Sequence, residues 1–171
     1  MGGEFQHRWE ARSLAYLKDA YGDLMMAKNA LEFEMYAGCL FHCQQGIEKC
    51  MKSVLALSGI LISKDHRIAD IFRDETENFG EFEEQFQALL PDVSEIEWYY
   101  IPTRYSVSVR GDVYVREFSK NEAGRVYQTT SAFVELSRDF IERRIEKPIS
   151  NDRKDLVELL MSEYTDVVRR N

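Results

Sequence analysis

Between Ala37 and Ser58 the apolar residues Leu40, Cys43, Ile47, Cys50, Met51 and Val54 recur at the steps of a helix face, with polar residues between them. That period predicts a helix that hides one stripe against its neighbours and shows the other to solvent. The same period runs through Leu14, Leu17, Tyr21, Leu24, Met25 and Leu31, which predicts an earlier long helix from about Arg8 to Glu34. A short break near Tyr36 separates the two, so they should pack antiparallel as a helical hairpin. Gly59 stands where the second helix should be capped, because a left-handed terminal residue favours glycine. Three prolines and nine glycines in 171 residues leave too little punctuation for a many-turned β-fold.

Further along, a short helix is expected from His66 to about Phe72, with Asp65 as its cap. Phe79, Phe82, Phe86, Leu89 and Leu90 follow at helical steps, and Pro91 should end that helix, with one or two more turns from Glu95 to Ile101. The period then changes. Val107, Val109, Val113 and Val115 alternate with polar residues around Arg110-Gly111-Asp112, a pattern that resembles a small β-hairpin at 107–115. Ser119-Lys120-Asn121-Glu122 fits a capping box, in which serine and glutamate satisfy each other's orphan amides. Behind it Ala123, Val126, Tyr127, Thr130, Phe133, Val134, Ser137, Phe140 and Ile141 trace a helix to about Glu146. A last helix is expected from Asp152 to about Arg169. The expected fold is all-α, an up-and-down antiparallel helical bundle over residues 1–148, with a C-terminal helical extension at 149–171 packed on the same domain.

The net charge of −8 is unevenly spread. From Asp70 to Glu97 there are ten acidic residues and one basic residue, a local −9 that leaves +1 for the rest of the chain. Charge therefore does not exclude a phosphate-bearing ligand. No apolar stretch approaches the roughly 18–20 residues needed to cross a bilayer, and the N-terminal residues lack the apolar run of a secretory signal. A cytoplasmic protein with no membrane association is the expectation. Cys39, His42 and Cys43 lie within about one turn, but without the paired spacing of a zinc module. Cys39, Cys43 and Cys50 are read as buried small hydrophobes, and no metal or cofactor is assigned.

The opposite side of the second helix carries the candidate chemistry. Gln45, Glu48 and Lys52 follow steps of three and four, with Lys49 beside them. Such a face can cradle a polar ligand; by spacing alone a solvated surface tied by a Glu48–Lys52 pair suits it better. Trp98-Tyr99-Tyr100 could stack on bases, though packing at a helix end suits it better.

The run Phe41-His42-Cys43-Gln44-Gln45-Gly46-Ile47-Glu48-Lys49-Cys50-Met51-Lys52, then Ser58-Gly59-Ile60, then His66 with Ile68 and Ile71-Phe72, resembles the core signature of HEPN domains. Tyr100-Ile101-Pro102-Thr103-Arg104-Tyr105 resembles the family's second signature, an arginine-tyrosine pair after a short helix. The resemblance spans about Trp9 to Glu146. It implies a helical bundle that pairs as a homodimer, binds nucleotides, and works beside a minimal nucleotidyltransferase or in a toxin–antitoxin system. Many members are metal-independent ribonucleases that use an arginine followed, after four to six residues, by a histidine. Here the corresponding positions after Arg104 hold Val109, Arg110 and Gly111, and none of His7, His42 and His66 follows an arginine at that spacing.

The resemblance thus points to a non-catalytic member, without catalytic residues. Gln45, Glu48, Lys49, Lys52, His66, Arg104 and Tyr105 are its candidates for binding a nucleotide or RNA phosphate. Lys52 and Arg104 would supply charge and Tyr105 a ring to stack on. His66 serves equally well as a helix-start residue satisfied by local backbone. Two alternatives remain: a metal-independent ribonuclease with a displaced base such as His66, and a pure interaction module whose acidic arm meets a basic partner.

Overall fold

A computed structural model describes residues 2–60, 62, 68–100, 103, 107–109, 112–114 and 116–146. The helices are α1 (Gly2–Glu32), α2 (Tyr36–Leu57), α3 (Ile68–Glu75), α4 (Glu83–Glu97) and α5 (Lys120–Ile145). Two 3₁₀ turns, Thr76–Asn78 and Gly80–Phe82, lead from α3 into α4. Strands β1 (Val107–Val109) and β2 (Asp112–Tyr114) pair antiparallel, with Ser108 opposite Val113. This is the hairpin that the alternation of valines suggested.

Cross-helix contacts set the directions. Ser13 meets Ser53 while Asp23 meets His42, so α1 and α2 run antiparallel. On α4 and α5, Glu95 meets Arg125 and Tyr99 meets Glu122, while Glu81 just ahead of α4 meets Arg143. That pair is antiparallel too. Tyr21 on α1 reaches Glu135 on α5, and Cys39 on α2 reaches the Ala123 carbonyl at the start of α5. The four long helices make an up-and-down bundle, with α3 packed beside α2 and α4.

The core follows the predicted stripes. Leu40, Cys43, Ile47, Cys50, Met51 and Val54 are fully buried, as are Phe133, Val134 and Ile141 of α5. Phe72, Phe79, Phe86, Phe133 and Phe140 fill the space between α3, α4 and α5, ring centroids 5.0–5.9 Å apart. These edge and tilted geometries suit the ring quadrupoles. All three cysteines are buried and free, within this core. Met25 departs from expectation: it is 46% exposed, because Leu24 takes the inward direction and an adjacent helical residue points about 100° away.

Both ends of the α1–α2 hairpin close by the same device. Ile60 N–H donates to the Leu55 carbonyl and Gly59 N–H to Ala56, each at 3.0 Å, with Gly59 at φ +75°. This is the expected glycine cap of α2. At the end of α1, Met35 N–H donates to Ala30 and Glu34 N–H to Leu31, and the left-handed position is held by Glu34 at φ +58°.

Two expectations about α4 and α5 are corrected. Pro91 does not end its helix but lies inside α4. Phe86, Leu90, Val93 and Ile96 stay buried on one face across it, so tertiary packing outweighs the missing amide donor. The capping box at Ser119 is half made: its hydroxyl accepts from Glu122 N–H at 3.1 Å. The Glu122 carboxylate turns away to accept from Tyr99 (2.7 Å) and Arg116 (2.8 Å). The expected cap at Asp65 and the helix from Asp152 lie outside the described residues.

Candidate functional site

Helix α2 is amphipathic to its ends. While its apolar stripe meets α1 and α5, the flank carrying His42, Gln45, Lys49 and Lys52 repeats at steps of three and four and stays partly accessible. The α1 residue packed against that flank is Asp23. Its position follows from the stripe of α1, since Ala20, Leu24 and Ala27 are buried and Asp23 shares their face. Its side chain is only 11% exposed.

Each oxygen of the Asp23 carboxylate has a partner. His42 Nδ1 lies 2.8 Å from Oδ1, and Lys49 Nζ donates to Oδ2. A carboxylate only accepts, so the hydrogen of this pair sits on Nδ1. Gly46 lies between the two donors, where α2 passes the Ala20 carbonyl; a Cβ there would stand 3.6 Å from that oxygen and 3.7 Å from Asp23 Cβ. Both distances are ordinary van der Waals contacts, so α1 and α2 pack directly at the point where both donors reach one acid.

One turn further, Lys52 Nζ donates to Glu48 Oε1 at 2.6 Å, and Gln44 Nε2 to Glu48 Oε2 at 3.2 Å. Gln45 Nε2 donates to Gln44 Oε1 at 2.6 Å, which completes a chain of side chains along the helix. Charge on Glu48 is felt by Glu97 of α4. The Glu97 carboxyl titrates above its ordinary value, chiefly through burial, with Asp70 and Glu48 adding to the effect and the Ala69 N–H and Arg73 opposing it. Glu97 Oε1 accepts that Ala69 amide at 3.0 Å, in the first turn of α3.

Four of the seven residues expected from the sequence, Gln45, Glu48, Lys49 and Lys52, are therefore gathered on one flank of α2. His66, Arg104 and Tyr105 lie outside the described residues. Asp23 and the His42–Asp23 contact were missed. An acid three residues after one buried alanine and four before another was the available signal, because charged residues rarely occupy an inward face without a partner. Of the aromatic run, Tyr99 is buried on Glu122, whereas Trp98 is 82% exposed. The acidic arm forms α3, the 3₁₀ turns and α4, with an open groove lined by Arg73, Asp74, Glu77, Gln87 and Pro91. Among the described residues no group of acids, histidines and cysteines could hold a metal ion. No described helix is long and apolar enough to cross a membrane.

An up-and-down helical bundle with a hydrogen-bonded polar flank on its second helix defines the class of small all-helical domain. Within that class the chain belongs to the HEPN family: the HEPN-domain family model matches residues 13–140. It is 27% identical over 134 residues to a protein of Methanocaldococcus jannaschii named "Putative toxin MJ1304", covering 75% of this chain and 88% of that protein. The crystal structure of TT1696 from Thermus thermophilus shares the fold, with a TM-score of 0.62 and 24% identity over 75% of this chain and 98% of that one.

Proposed function

We propose that this chain is a HEPN protein that binds the phosphate of a nucleotide or RNA without cleaving it, as one half of a two-protein pair of the toxin–antitoxin kind. The observation that carries the reading is the α2 flank, where Lys49 and Lys52 are held in place by carboxylates, beside accessible amide and imidazole groups. Ordering these side chains in the free protein lowers the cost of ordering them on a ligand. Arg104 and Tyr105 are the further contacts we assign from sequence, with His66 as a weaker one. The absence of a histidine after Arg104 removes the family's usual acid–base group, which favours binding over cleavage. Likeness to a protein named as a toxin supports the paired role, with a nucleotidyltransferase or an antitoxin as the partner and a homodimer as the working form. We also assign residues 1–148 to the bundle, 149–171 to an extension on it, and a cytoplasmic location.

Calorimetric titration with nucleoside triphosphates tests the binding. Measurable heat with at least one of them, weakened in Lys52→Ala and Arg104→Ala, is expected; no heat with any overturns the reading. A second reading, a ribonuclease with a displaced base, is favoured by one observation, the carboxylate-held imidazole of His42. Incubation with RNA in the presence of a chelator separates the two: cleavage that is lost in His42→Gln or His66→Ala would replace binding by catalysis.

A further inference from the structure

On its own the α2 flank offers an anion no net attraction. Lys49 faces Asp23 and Lys52 faces Glu48, so two ammoniums and two carboxylates cancel. Beyond the Arg104 assigned from sequence, a phosphate placed there gains from a further positive charge, and one group on the same flank can provide it. His42 stands three residues before Gln45 and seven before Lys49. Its Nδ1 is held by Asp23, its side chain is 25% exposed, and its Nε2 has no hydrogen-bond partner among the described residues. Histidine is the side chain whose charge ordinarily changes between pH 5 and 8.

We propose that His42 takes up a proton from solvent when a phosphate-bearing ligand binds, and that Nε2–H then donates to a phosphate oxygen. Asp23 is the positioning residue: it keeps the ring by Nδ1, so that the second N–H of the imidazolium is directed to the ligand. The flank then carries a net +1 instead of zero. The groups around the imidazole agree with this role. Asp23 faces it from α1, and Lys49 of α2 shares that acid. The Phe41 ring packs against it in a T-shaped arrangement, ring centroids 5.2 Å apart. From α5, the charged groups turned toward α1 are Glu135 and Arg138, which pair with each other and meet α1 at Tyr21. None of them supplies the missing charge. The inference rests on the phosphate-binding reading above and names the residue that makes it pH-dependent.

Calorimetry of native protein with ATP at pH 7.5, in two buffers of different ionisation enthalpy, counts the protons taken up per ligand. The γ-phosphate of ATP titrates in the same range, so the deciding quantity is the difference from His42→Gln, which keeps a donor but cannot become charged. Native protein should take up more, by up to about one proton, and its affinity should fall several-fold between pH 6.5 and 8 while the variant's falls less. Equal proton counts overturn the inference and leave phosphate binding intact. Absence of ATP binding in native protein overturns both. Should His42→Gln fail to fold, proton NMR of native protein decides: with three histidines in the chain, one imidazole resonance should move toward the imidazolium position on saturation with ATP at pH 7.5. No movement refutes the proposal.

Discussion

Asp23 Oδ1 lies 2.8 Å from His42 Nδ1, so a carboxylate on the inward face of α1 fastens the polar flank of α2. Lys49 takes the other oxygen of the same acid. Removal of the acid leaves two donors facing apolar surroundings, although both are a quarter to a third exposed and recover some hydration. Asp23→Ala should therefore cost about 2 kcal/mol, between a surface pair and a fully buried one. Urea denaturation measures it, and Asp23→Asn should lose less. In a double-mutant cycle with Lys49→Met, the coupling should reach about 1 kcal/mol; additivity would mean that the contact contributes nothing.

Glu97 opposes folding at neutral pH. Its carboxyl is raised above the ordinary 4.5, mainly by burial, so the folded state holds its proton more tightly than the unfolded chain does. Such a group favours the folded state fully below its unfolded value, and that advantage is lost as pH rises through the raised one. Glu97→Gln keeps an oxygen for the Ala69 amide and removes the charge. It should raise the melting temperature at pH 7 by a few degrees, with the gain shrinking toward zero at pH 4. A loss at pH 7 would mean that the charge at the start of α3 outweighs its burial.

Pro91 leaves the Gln87 carbonyl without the amide that a helix would bring to it. An interior proline costs about 3 kcal/mol, less about 0.4–1 kcal/mol for stiffening the unfolded chain. Pro91 is exposed, so Pro91→Ala disturbs no core contact. A gain of about 2–2.6 kcal/mol in chemical denaturation is expected, and an unchanged midpoint would show that α4 has already relaxed around the ring.

Glu34 and Gly59 occupy equivalent left-handed positions at the ends of α1 and α2, at φ +58° and +75°. A side chain is strained there and glycine is not. Glu34→Gly should stabilise, and Gly59→Ala destabilise, each by about 1 kcal/mol. Thermal melts that shift the same way for both would refute the assignment.

Much of this architecture was legible because the helix stripes are regular. The α2 residues from Leu40 to Val54 and the α5 residues from Ala123 to Ile141 declare their inward faces by period alone, and Gly59 and Ser119 mark real caps. Pro91 misled because local backbone chemistry predicts a stop, whereas Phe86, Leu90, Val93 and Ile96 fasten the helix on both sides of it. Glu122 misled because a side chain with three prospective partners chooses among them in three dimensions. The candidate site was half legible. Steps of three and four place Gln45, Glu48, Lys49 and Lys52 together, but no local pattern on α2 says that an acid of α1 lies opposite. Asp23 becomes visible only when its charge is weighed against the buried alanines around it.

The bond from Tyr99 to the Glu122 carboxylate has a consequence for the stretch of chain between them. It joins the two ends of that stretch at one clamped point, like a purse drawn shut at its mouth. Bringing the two ends of a loop together carries an entropic cost that grows slowly with length. Because the bundle closes this one by folding, the cost of bringing its two ends together is met before any ligand arrives.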